Sequence, residues 1–102
     1  MRPLPAPVRR ALHELEDAYP LDRPVEVIVP PHVVGWADTE RREGDYLIRL
    51  SGRMDARSLV ETLAHEWAHV RSWDSRSRLE HPDSWGVQYA RAYRLVIDGV
   101  WP

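Results

Sequence analysis

Apolar residues follow two rhythms along this chain, one helical and one extended. Val8, Ala11, Leu12, Leu15, Ala18 and Tyr19 fall at three- and four-residue steps and predict a helix that Pro20 ends. Val25 to Val29 is β-branched and partly alternating, a strand closed by Pro30-Pro31. A second strand is expected near Val33 to Asp38, and a third from Tyr46 to Leu50. Between them Thr39 to Asp45 is polar, with Gly44-Asp45 as turn chemistry, so these two strands read as a hairpin in a mostly antiparallel sheet. Asp55 then offers an N-cap, and Leu59, Leu63, Trp67 and Val70 form the buried stripe of a second helix with no Gly or Pro inside it. An Arg/Ser-rich crossing from Asp74 to Leu79 leads to a last helix from about Ser84 to Ile97, for which Asp83 is the natural N-cap. On that helix Trp85, Tyr89, Ala92 and Val96 share one face, and Gly86, Tyr89, Tyr93 and Ile97 a neighbouring one. Gly86 and Ala90 are small enough to approach Ala64 and Ala68 closely. The expected class is α+β: an N-terminal helix, a small mostly antiparallel three-stranded sheet, and two helices.

Composition narrows the function more than it alters this architecture. A chain of 102 residues, 43% hydrophobic and 29% charged, is expected to form a single domain over 1–102. Its net charge of −2 carries no electrostatic footprint for nucleic acid. All its strongly basic residues are Arg; Lys, Asn, Phe and Cys are absent. That codon-linked bias points to a GC-rich bacterial or phage genome. The lack of Cys removes thiolate-rich zinc sites and fits a reducing cytoplasm. With no apolar leader and no stretch of transmembrane length, a cytoplasmic, membrane-free protein is expected, of either oligomeric state.

The chemistry concentrates in His65-Glu66-Trp67-Ala68-His69, which reads H-E-x-x-H on the second helix. Two imidazoles four residues apart project from one helix face, one turn apart, and can grip one Zn²⁺. They fall off the buried stripe and share a face with Thr62 and Ser58. Glu66 lies one step round that surface, where it could take a proton from a coordinated water. The plain alternative is two solvated histidines beside an exposed glutamate. A catalytic zinc needs a third protein ligand, and downstream stand Asp74, Glu80, His81, Asp83 and Asp98. The last helix holds no Glu, and its one Asp, Asp98, sits at its far end. The extended pattern H-E-x-x-H-x-x-G-x-x-H fails, because Ser72 and Ser75 replace its Gly and last His. His81, stiffened by Pro82, is preferred, with Asp83 and Glu80 as the alternatives.

Together, His65-Glu66-Trp67-Ala68-His69 and the later His81-Pro82-Asp83-Ser84-Trp85 resemble the SprT-like (Spartan-type) zinc metallopeptidases. The family pattern is H-E-x-x-H, then a His before a small residue, then an aromatic four positions on. The resemblance spans roughly Asp55 to Tyr93. It implies a minimal zincin-like domain in which His65, His69 and His81 bind zinc and Glu66 is the catalytic base. Pro82 stands where the family has Gly, the crossing is short, and nothing resembles the zinc ribbon or DNA-binding extension of larger members.

The expected activity is a zinc-dependent metalloendopeptidase acting on a peptide or protein substrate. An extended peptide would add to the strand Tyr46 to Leu50 or to its hairpin partner. Tyr89 or Tyr93 is a candidate donor to the oxyanion. His32 is read as a loop residue and His13 as a solvated one, while Glu61, one turn before His65, is a possible partner for a ligand imidazole. The competing expectation is a zincin-like protein-binding module whose zinc only holds the fold. A protease domain of a transcriptional regulator would need a DNA-binding module not seen here.

Overall fold

The computed structural model describes residues 4–72 and 83–98. Helix α1 (Ala6–Ala18) starts from Pro5, carries Pro7 in its first turn, and buries Val8, Ala11 and Leu15. Pro fits there because the first helical N–H groups have no intrahelical partner. Strands β1 (Val25–Ile28), β2 (Ala37–Arg41) and β3 (Tyr46–Leu50) follow, then α2 (Ala56–Arg71), α3 (Asp83–Tyr93) and a π-helical turn, Arg94–Asp98. The α+β layout and the order of elements are as expected.

The sheet departs from expectation in its pairing. Its order is β1-β3-β2, with β3 parallel to β1 and antiparallel to β2. The sheet is therefore mixed rather than mostly antiparallel. Burial explains the arrangement: β3 buries Tyr46, Leu47, Ile48 and Leu50, so it takes the centre, where apolar residues gain most. β2 exposes Asp38, Glu40 and Arg41 and lies at an edge, where charged side chains remain in water. The second strand also begins later than Val33 to Asp38 suggests. Gly35 (φ 75°) and Trp36 (φ 74°) are left-handed and break any extended run before Ala37. Pairing then carries β2 to Arg41, and the turn shrinks to residues 42–45, where Arg42 N–H donates to the Asp45 carbonyl (2.9 Å) and the two side chains form an ion pair.

Asp55 caps α2 as expected, its Oδ1 accepting from Ser58 N–H at 2.8 Å. The stripe Leu59, Leu63, Trp67 and Val70 is buried, and Val60, Ala64 and Ala68 join it. Trp67 Nε1–H donates to the Tyr19 carbonyl (2.7 Å), and Arg71 stacks over the Tyr19 ring at 3.9 Å. These two contacts pin the far end of α2 to the end of α1. Between β3 and α2 the chain passes so close to Pro30 that a Cβ on Gly52 would sit 3.0 Å from the Pro30 carbonyl oxygen, which already accepts from Gly52 N–H at 2.7 Å.

The final helix packs on α2, but not through Gly86 and Ala90. Both are exposed, and a Cβ at Gly86 would meet nothing within 4 Å. Ala92 enters the core instead, as do Val96 and Ile97 of the turn that follows. Val96 and Ile97 gain more from burial than a glycine or alanine would, which favours this rotation. Among the described residues no helix is long and apolar enough to cross a membrane.

Tyr46 O–H donates to Asp22 Oδ1 at 2.6 Å, tying the loop after α1 to the central strand. This bond holds the Asp22 carboxyl below its ordinary 3.8, while burial, then the bond to Asp22, pushes the Tyr46 phenol above 10. Its stabilisation is complete between those ordinary values and is lost as pH falls through the depressed Asp22 value. Urea midpoints measured downward from pH 5 should therefore fall more steeply for the wild type than for Tyr46→Phe.

Candidate functional site

Helix geometry fixes the site. At about 100° per residue, His65 and His69 each lie two residues from Trp67 and so about 160° around the helix from it. With Trp67 locked in the core, both imidazoles turn away from it and are half-buried. Their Nε2 atoms are 3.0 Å apart and their ring centroids 4.7 Å. Two nitrogens at that distance share a proton or share a cation. On a tetrahedral zinc with bonds of 2.0–2.1 Å, two nitrogens lie about 3.3 Å apart, so the pair fits that ion closely.

Glu66 is buried, 9% exposed, between α2 and the edge strand. Thr39 of β2 donates its hydroxyl to Glu66 Oε2 at 2.6 Å. A buried carboxylate is costly unless hydrogen-bonded, and this contact offsets part of that cost while fixing the side chain. His65 and Glu66 line a cleft of about 300 Å³ together with Gly35, Trp36, Ala37, Glu61, Thr62 and Tyr89. One wall is the start of β2 and the residues before it, the floor is α2, and α3 supplies the other wall.

Of the two candidate tyrosines, Tyr89 reaches the cleft. Its ring meets the His65 ring edge-on with centroids 5.7 Å apart. Burial, then the nearby charge of Glu61, holds its phenol above 10, so it stays a hydrogen-bond donor at neutral pH. Tyr93 lies behind it, the two rings tilted at 39° with centroids 5.8 Å apart. Glu61 accepts from Arg57 Nε at 3.1 Å, an ion pair along the helix, and lines the cleft together with His65. His13 and His32 are exposed and line no part of the cleft.

The candidates for a third ligand cannot be placed among the described side chains. His81, Glu80 and Asp74 lie outside the described residues, as do the side chains of Asp83, Trp85 and Asp98. Among the described residues no three His, Asp or Glu side chains gather to hold a metal. The described part of the site is thus a histidine pair with an adjacent fixed carboxylate.

Beside it runs the edge of the described sheet. Arg42 N–H donates to Asp45, and Ser51 N–H to the Trp36 carbonyl (2.8 Å). Antiparallel alternation then turns the backbone of Asp38 and Glu40 toward β3 and that of Ala37, Thr39 and Arg41 outward. Among the described residues no strand pairs with that outward side. The strand Tyr46–Leu50 is central, so of the two expected docking strands only β2 has an edge to offer.

Thr39 and Trp36 went unnoticed in the sequence, where nothing local separates them from strand and loop residues. Comparison with models of known protein families, with curated proteins and with solved structures found no match.

Thr39→Val keeps shape but removes the donor to a buried carboxylate. It should cost about 1–3 kcal/mol of stability in metal-free protein at neutral pH, read from urea denaturation. Thr39→Ser should recover most of the loss; equal stability of all three proteins would show the contact to be idle.

Proposed function

We propose that this chain is a small zinc-dependent metallopeptidase of SprT-like, zincin type, with His65, His69 and His81 as metal ligands and Glu66 as general base. The observation that carries the reading is the convergence of the two Nε2 atoms beside a buried carboxylate anchored by Thr39. A purely structural zinc has no need of such a carboxylate, and burying one without purpose costs stability. This favours the enzyme over a binding module in which zinc only secures a small core.

Zinc bound there would supply Lewis acidity, lowering the pKa of a water toward about 7 and polarising the scissile carbonyl. The rest falls to the chain. The Glu66 carboxylate accepts a proton from the attacking water and delivers it to the departing amine as the C–N bond breaks. Thr39 holds that carboxylate in one orientation, so little rearrangement is needed during transfer. Tyr89, across the cleft, donates a hydrogen bond to the oxygen that gains charge in the tetrahedral intermediate. The outward N–H and C=O groups of Ala37 and Thr39 pair with an extended peptide and bring its backbone alongside Glu66. The proposed setting is cytoplasmic, with neither nucleic acid nor membrane as partner.

Purified protein should hold about one zinc per chain by elemental analysis. Glu66→Gln should keep that zinc and its fold yet lose cleavage of casein or a peptide library; undiminished turnover would remove Glu66 as base. His81→Ala should weaken zinc binding by at least about 10–100-fold, the loss expected even for groups that only support a ligand. Should Asp83→Ala do so while His81→Ala does not, the third ligand is Asp83.

A further inference from the structure

The exposed large apolar side chains among the described residues are Val34 (86%), Trp36 (56%) and Val87 (54%). Val34 and Trp36 stand in the segment that enters β2, and Trp36 lines the cleft with His65 and Glu66. Val87, two residues before the cleft-lining Tyr89 on α3, faces away from it. A half-exposed indole forfeits much of the burial that a tryptophan can gain.

Its backbone is also unusual. Trp36 has φ 74°, a conformation that bulky residues rarely adopt and that costs free energy. Hydrogen bonds on both sides hold it there: its N–H donates to the Val33 carbonyl (3.0 Å), and its carbonyl accepts from Ser51 N–H (2.8 Å). Strand alternation alone would place Trp36 with Asp38 and Glu40, whose side chains pair with Arg49 on the face away from α2. The left-handed pair interrupts that alternation, and Trp36 lines the cleft instead. Trp36 is thus strained and largely exposed at the head of an edge with which no described strand pairs.

We infer that Trp36 is a specificity-determining residue: it receives an aromatic or large aliphatic side chain of a peptide that pairs with β2 and lies across the cleft. The inference rests on the peptidase reading for the chemistry but not for the docking. Trp36 begins the edge whose outward groups start at Ala37, so a peptide paired to that edge passes the indole as it passes Glu66. Aromatic faces recognise apolar side chains through area and edge-to-face contact, and one such anchor governs selectivity where the rest of the recognition is through backbone. Charged side chains at that position would lose hydration against the indole with nothing to replace it.

Two measurements test this. A mixed peptide library is digested with zinc-loaded wild type, Trp36→Phe and Trp36→Gly, and the cut sites are read by mass spectrometry. Separately, the Glu66→Gln protein and its Trp36→Gly derivative are titrated calorimetrically with a blocked Val/Thr-rich peptide carrying a central Phe, and with its central-Ser counterpart. Trp36→Gly should unfold no earlier than wild type, since glycine takes φ 74° without strain. Wild type should prefer apolar over polar residues at one position near the cut by about tenfold, Trp36→Phe should keep that preference, and Trp36→Gly should lose it. The Phe peptide should outbind the Ser peptide by a similar factor only while Trp36 is present. A preference that survives Trp36→Gly, or cleavage with no apolar preference, overturns the inference and leaves the peptidase standing. Selective binding that depends on Trp36, without cleavage by wild type, sinks the peptidase and leaves the docking site. Neither cleavage nor selective binding ends both.

Discussion

The rotation of α2 about its own axis decides everything else in the structure. Trp67 sets it, fully buried and hydrogen-bonded to the carbonyl of Tyr19 at the end of α1, with Arg71 stacked on the Tyr19 ring one turn later. Because His65 and His69 flank Trp67 symmetrically in sequence, one anchor orients both imidazoles at once. A helix held only by small aliphatic contacts could roll, and the Nε2 atoms would then lose their common focus. Glu66 falls between the core side and the histidine side, which is why it is buried and still reaches the cleft. The middle of the motif is structural while its ends are chemical, and the five residues are inseparable for that reason.

The sheet contributes position rather than bulk. Placing the apolar strand Tyr46–Leu50 at the centre forces charged β2 to an edge, and that edge supplies Thr39 to Glu66. The same displacement turns the backbone of Ala37, Thr39 and Arg41 to a side on which no described strand pairs. What protects such an edge elsewhere, its charge, here sits on the face away from α2, where Asp38 and Glu40 pair with Arg49.

Much of this was legible in the sequence, and the rest was hidden for identifiable reasons. Helical periodicity located α1 and α2, because amphipathic stripes such as Leu59, Leu63, Trp67 and Val70 are local signals. The cap at Asp55 and the strand at Tyr46–Leu50 were equally plain. The parallel partnership of β1 with β3 was not, since pairing depends on which strand wins the centre, a competition among distant segments. Val33 and Val34 read as strand from their branching, but two left-handed residues after them overruled propensity. Gly86 and Ala90 suggested close helix contact, whereas the neighbouring face of Ala92, Val96 and Ile97, also legible in the sequence, is the one that entered the core. At the site, the motif histidines and Glu66 could be read directly. Thr39 could not, being 27 positions from its partner and drawn to it only by folding.

Gly52 joins two segments of the chain that run on to opposite walls of the site. Its backbone abuts Pro30, ahead of the stretch that carries Trp36, and three residues later the chain caps α2 at Asp55. A Cβ there would stand 3.0 Å from the Pro30 carbonyl oxygen, tighter than side chains ordinarily sit. Any residue larger than glycine would therefore oblige these two segments to part by a few tenths of an ångström, a small adjustment made at a position that touches no candidate site residue.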